Sequence, residues 1–141
     1  MSQTVTLTLP DTLYAPIARI AQSKDESVEV VLLNALQASL PPVDGLPTDL
    51  QNEMIRLETL DNHQLHLILL EQVPQNEQDA LEDLLYKNQA EGLDASEQER
   101  LAQLQAGADK VMLRKARSAV LLRFRGERLP TLAELRRLTG R

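Results

Sequence analysis

Six residues near the start of the chain, Thr4-Val5-Thr6-Leu7-Thr8-Leu9, alternate strictly between threonine and an aliphatic side chain and stop at Pro10. A period of two puts Val5, Leu7 and Leu9 on one face and Thr4, Thr6 and Thr8 on the other, which predicts a β-strand. No second stretch between Thr4 and Leu40 offers it a partner. A strand with unpaired N–H and C=O groups has to find one elsewhere. The simplest partner is the same strand of a second copy, so this short run predicts a homodimer.

Two helices are predicted next. The first runs from about Asp11 to Gln22, with Leu13, Tyr14, Ile17, Ile20 and Ala21 as its buried face. Asp11 suits an N-cap, but Pro16 falls just past the first turn, where it deletes a backbone bond. Either the helix begins near Ala15 or its first turn is irregular. After the turn Ser23-Lys24-Asp25-Glu26, Ser27 caps a second helix that ends near Leu40, before Pro41-Pro42. Val28, Val30, Val31, Leu32, Leu33, Ala35 and Leu36 leave that helix little polar face, so it should be buried nearly all round. A segment of about 40 residues seldom achieves that alone. Val5, Leu7, Leu9, Val31, Leu32 and Ala35 are therefore the expected core of the dimer.

The run TVTLTLPDTLY, the turn ending at Ser27 and SVEVVLLNALQASL resemble the ribbon-helix-helix family, the CopG, Arc and MetJ type. The resemblance covers about the first third of the chain and rests on the order of the patterns. It implies two strands paired into a ribbon in the DNA major groove, with a toxin-binding tail of the antitoxin kind behind. On that footing Thr4, Thr6 and Thr8 would face the bases, and the helix start at Ser27 and Val28 would hold a phosphate. The remainder resembles the C-terminal part of cyanobacterial-type uncharacterised proteins, a likeness that implies no activity.

Pro41, Pro42, Asp44, Gly45 and Pro47 form a linker, dividing a head of about 1–44 from a helical module of about 45–141. Helix starts in the module are marked by Thr48-x-x-Gln51, Asp61-x-x-Gln64, Pro74 with Asn76, Asp94-x-x-Glu97 and Thr131-x-x-Glu134. Gly92 and Gly126 mark helix ends. The helix from Asp94 to about Arg125 is the longest. Gly107 in its middle costs about 1 kcal/mol relative to Ala and could mark a bend. The expected fold class is mainly α: an N-terminal strand and two helices in the dimeric ribbon-helix-helix manner, then a helical bundle or hairpin with one long helix.

Charge is distributed in blocks. Residues 1–48 hold two bases against five acids, residues 49–107 three against thirteen, and residues 108–141 ten against three, within a net charge of −6. Such blocks suggest that acidic and basic segments meet. Lys110, Arg114, Arg117, Arg125 and Arg128 fall near one helical stripe. They read either as a nucleic-acid surface, most plainly at Lys110, Arg114 and Arg117, or as a face satisfied by the chain's own acids. The second reading is preferred, because no motif or aromatic interleaving supports the first.

No chemistry stands out. There is no Cys, and no apolar run approaches the roughly 20 residues of a membrane span. A cytoplasmic protein without membrane contact is expected. His63 and His66 lack a third ligand nearby, so no metal is expected. With no nucleophile, phosphate-loop or zinc motif present, neither an enzyme nor a cofactor is expected. Two functions remain. One is a dimeric DNA-binding regulator of antitoxin type whose helical module binds a partner protein. The other is a non-catalytic interaction protein that uses the head only to dimerise. The resemblance makes the first the leading expectation; the acidic head favours the second, since it forgoes most of the sequence-independent attraction to DNA.

Overall fold

Helix is the only regular structure in the computed structural model of the chain, which describes residues 2–140. Seven helices occur among those residues: α1 (Asp11–Lys24), α2 (Val28–Ser39), α3 (Thr48–Leu57), α4 (Asn62–Leu69), α5 (Gln75–Ala90), α6 (Ala95–Phe124) and α7 (Leu132–Thr139). The chain divides into two compact units, residues 1–42 and residues 43–141.

The mainly α expectation holds, but the N-terminal strand does not. Thr4 to Leu9 forms no ladder, and Val5 and Leu7 are 74% and 68% exposed. There is thus no ribbon, no ribbon face of Thr4, Thr6 and Thr8, and no pleat placing Val5, Leu7 and Leu9 in a core. The physical reason is that alternation only makes a segment compatible with a pleat. A strand exists through its bonds to a neighbouring edge, and every other element here is a helix whose backbone bonds are internal.

In unit 1, α1 and α2 form an antiparallel hairpin. Helix α1 starts at Asp11 with Pro10 as its cap residue and carries Pro16 in its interior. Pro10 O accepts from both Leu13 N and Tyr14 N, at 2.9 Å each, which secures the first turn ahead of the bond that Pro16 cannot make. The turn is closed by Asp25 in the left-handed region at φ 54, with Glu26 N donating to Ala21 O at 2.9 Å. Ser27 then caps α2 by accepting from Val30 N at 3.2 Å.

In unit 2, α6 is the spine on which α3, α4 and α5 pack. Its buried side chains include Leu104, Leu121 and Leu122, joined in the core by Met54, Leu57, Leu65, Ile68 and Leu69. Capping boxes at Asp61 with Gln64 and at Asp94 with Glu97 open α4 and α6. Gly92, at φ +81, ends α5 in the conformation a glycine tolerates best. Gly107 lies inside the continuous helix α6, and a Cβ there would meet nothing within 4 Å. Gly107→Ala is therefore expected to stabilise unit 2 by about 1 kcal/mol, read as a higher midpoint in urea unfolding. A lower midpoint would mean that the helix needs freedom at this position.

Candidate functional site

The hairpin of unit 1 is built from apolar side chains that it does not bury. Ala21 is the only buried residue among those described in this unit. Ile17, Val28, Val31 and Leu32 turn towards the contact between α1 and α2 and are half-buried, while Ala35 is exposed. Val30, Leu33 and Leu36 lie on the far side of α2, where Leu33 and Leu36 are 58% and 55% exposed. Leu13, Tyr14 and Ile20 are likewise exposed on α1. The expected core residues Val31 and Leu32 thus face their own hairpin, and the outward stripe consists of three residues at spacing three.

The start of α2, where Ser27 and Val28 are the expected phosphate holders, is capped from within the chain and ringed by acids. Ser27 Oγ already takes the Val30 N–H, and the exposed Asp25, Glu26 and Glu29 surround the helix start. The hairpin's bases are Arg19 and Lys24 alone.

Unit 2 ties several of its arginines to its own carboxylates and carbonyls. Arg114 forms a two-pronged bond to Glu71, Nε to Oε2 at 3.0 Å and Nη2 to Oε1 at 2.7 Å, and its Nη1 donates to Glu53. This joins α6 to α3 and to the segment after α4. The hydrogen bond to Glu71, followed by its negative charge and the Glu53 contact, raises the guanidinium pKa above its ordinary value, against the opposing effect of partial burial. Arg117, only 9% exposed, places Nη2 at 3.5 Å from Glu58.

Arg125 reaches the end of α3: Nη2 donates to Glu58 O at 3.0 Å, and Nη1 donates to Leu60 O at 2.8 Å and Asn62 Oδ1 at 3.0 Å. Carbonyls that α3 leaves open at its C-terminus are satisfied in this way. Asn62 also donates to Glu127 at 2.7 Å. Of the proposed basic surface, Arg114 and Arg117 are therefore fasteners, and Lys110 alone is exposed to solvent. The Arg125 clamp was not foreseen as such. Its only sequence signal is an arginine next to the terminating Gly126.

An open groove of about 490 Å³ runs along the middle of α6, lined by Val73, Ala108, Val111, Met112 and Ala116, with Lys115 and Glu71 at its margins. Nothing in it combines a nucleophile with a base. His63 is exposed, His66 is half-buried, and no group of three or more metal-ligating side chains occurs among the described residues. No helix among them is long and apolar enough to cross a membrane. The surface best placed to act is thus the uncovered apolar side of the α1–α2 hairpin. No protein-family model, curated protein or solved structure matches this chain.

Proposed function

We propose that this chain is a non-catalytic interaction protein that self-associates through the α1–α2 hairpin and carries unit 2 as a helical interaction module. One observation supports this reading above the others: among its described residues, a unit of about 40 residues buries a single side chain and exposes six large apolar ones on its two helices. Two helices of this length lack the apolar burial to persist alone, and domains this small are commonly completed by oligomerisation. From Val30 to Ser39, α2 carries no charge, so its outer face suits an apolar partner.

A second copy fits that face in a definite way. Val30 and Leu36 lie three residues to either side of Leu33. A two-fold axis through Leu33 with α2 helices antiparallel sets Val30 against the partner copy's counterpart of Leu36, as an isologous interface requires. It also sets Glu29 near the neutral Gln37 position of the other copy, whereas parallel helices would bring the two Glu29 carboxylates together. Covering Val30, Leu33 and Leu36 on each copy is worth on the order of 5 kcal/mol before the cost of association. The DNA-regulator reading has no comparable support, since the hairpin holds two bases against four acids.

The test is sedimentation equilibrium of the full chain. The wild type should be dimeric at micromolar concentration, and Leu33→Asp should be monomeric, because the carboxylate would be buried without a partner. The melt of unit 2 should survive in that variant. A monomeric wild type, or a Leu33→Asp variant that remains a dimer, would refute the proposal.

A further inference from the structure

With the internal pairs assigned, unit 2 still carries charge of opposite sign, without an ion-pair partner among the described residues, on two outward helix faces. On α5, Asp79, Glu82, Asp83 and Tyr86 stand at i, i+3, i+4 and i+7, which makes one stripe. All four are exposed, Tyr86 to 75%, while Leu81 and Leu84 on the other side are half-buried where α5 packs on α6. None of the three carboxylates forms an ion pair with a described residue; Asp79 accepts only from Gln75 of its own helix, at 2.9 Å. On α7, Arg136 and Arg137 flank Ala133 on the outward side, with the 64% exposed Leu132 at its edge. Leu135 and Thr139 are half-buried on the other side, and Thr139 O accepts from Gln72 at 3.4 Å. Neither Arg136 nor Arg137 pairs with a described acid; the ion pair of α7 is the one between Arg128 and Glu134, at 3.2 Å.

These two faces do not meet within unit 2 of one copy, yet they match between two copies. We infer that the α7 face of one copy docks on the α5 face of another, with Arg136 and Arg137 on Asp79, Glu82 and Asp83 and a guanidinium over the Tyr86 ring. Arginine suits both contacts, since its planar fork matches a carboxylate and its plane stacks on an aromatic ring. The contact joins unlike surfaces, so it leaves an α5 face and an α7 face free at its ends and extends as an open chain or closes as a ring. It is independent of the apolar hairpin contact proposed above, and the two respond differently to salt. The net charge of −6 by itself keeps copies apart, so repulsion alone predicts that salt promotes association. Docking of complementary faces predicts that salt disperses it, because the Debye length falls to about 3 Å at 1 M.

The experiment is sedimentation velocity of the full, nuclease-treated chain over a concentration series, at low salt and near 1 M salt. Species larger than the hairpin dimer should appear at low salt and vanish at high salt, while the dimer persists. R136E/R137E should weaken the larger species at least tenfold, and so should E82R/D83R. Mixing those two variants should restore it, because the reversed faces then complement each other. These side chains are exposed, so melting temperatures should stay unchanged; R136Q/R137Q serves if a reversal perturbs folding. The inference falls if the larger species is absent, if it grows with salt, or if the mixed variants fail to recover it. It also falls if wild-type chain, but not R136E/R137E, shifts a short nucleic acid at low salt without forming the larger species, which would give the α7 face to nucleic acid.

Discussion

R114E/R117E should lower the melting temperature of unit 2 by more than about 10 °C, followed by circular dichroism of the full chain. Arg114 now bridges Glu53 and Glu71, and Arg117 faces Glu58. The double reversal would set two new carboxylates among three existing ones, at positions where the arginine side chains are only 22% and 9% exposed. Breaking a buried pair by removing one partner costs about 3–5 kcal/mol. Partial exposure of Glu71 and Glu58 reduces that figure through solvent screening, so about 3 kcal/mol is the working value for the pair of changes. In a unit of this size each kcal/mol corresponds to about 4–8 °C. Arg114→Lys should cost less, since it keeps the charge and loses the two-pronged geometry. A double reversal that melts like the wild type would show that these arginines are not structural, and would return them to the class of exposed basic surface.

What could be read from the sequence follows the range of each interaction. Asp61, Asp94 and Thr131 cap their helices because the bond runs from a side chain to a backbone N–H three residues on, within one turn. Thr48-x-x-Gln51 has the same spacing and behaves differently. Pro47 takes the cap position, and the Gln51 side chain turns back to donate to Asp44 O at 2.9 Å and Leu46 O at 2.8 Å. The strand at Thr4 to Leu9 failed for a related reason: its pattern is local, but the pairing it needs is not. The arginines were legible only as a sign, a basic block following an acidic one. Arg114 finds its partners 43 and 61 residues away, a distance that no periodicity encodes. Helix α5 precedes α6 across a short turn and flanks its first half, where Lys87 pairs with Glu97 at 2.6 Å. The second half, with Arg114 and Arg117, meets α3 and the end of α4 instead. Arg125 shows the same limit, since its acceptors are backbone carbonyls, which any sequence supplies.

Leu122→Ala and Ser118→Ala should move the stability of unit 2 in opposite directions, although the two residues are one helical turn apart on α6. Both are wholly buried, at 0% exposure. Leu122 lies in the half of α6 that packs on α3 and α4, whose Met54, Leu57 and Leu65 are also removed from solvent. Truncating it loses the transfer energy of its methyl groups and leaves a void, together about 2–5 kcal/mol. The melting temperature should fall by at least about 8 °C at the lower bound of that range. The Ser118 hydroxyl, in contrast, has no hydrogen-bond partner among the described residues. Removing an unsatisfied buried polar group forfeits no bond and ends its desolvation cost, and alanine is the better helix former. A gain of up to about 1 kcal/mol is expected, seen as a raised melting temperature. If Ser118→Ala instead destabilises by more than about 1 kcal/mol, the hydroxyl must donate in solution, most simply to the carbonyl of Arg114 four residues earlier. It would then help to fix the turn of helix that carries the Arg114 bridge. A Leu122→Ala variant that melts like the wild type would mean that α3 and α4 can close onto α6 after truncation, and that the core tolerates more rearrangement than its burial implies.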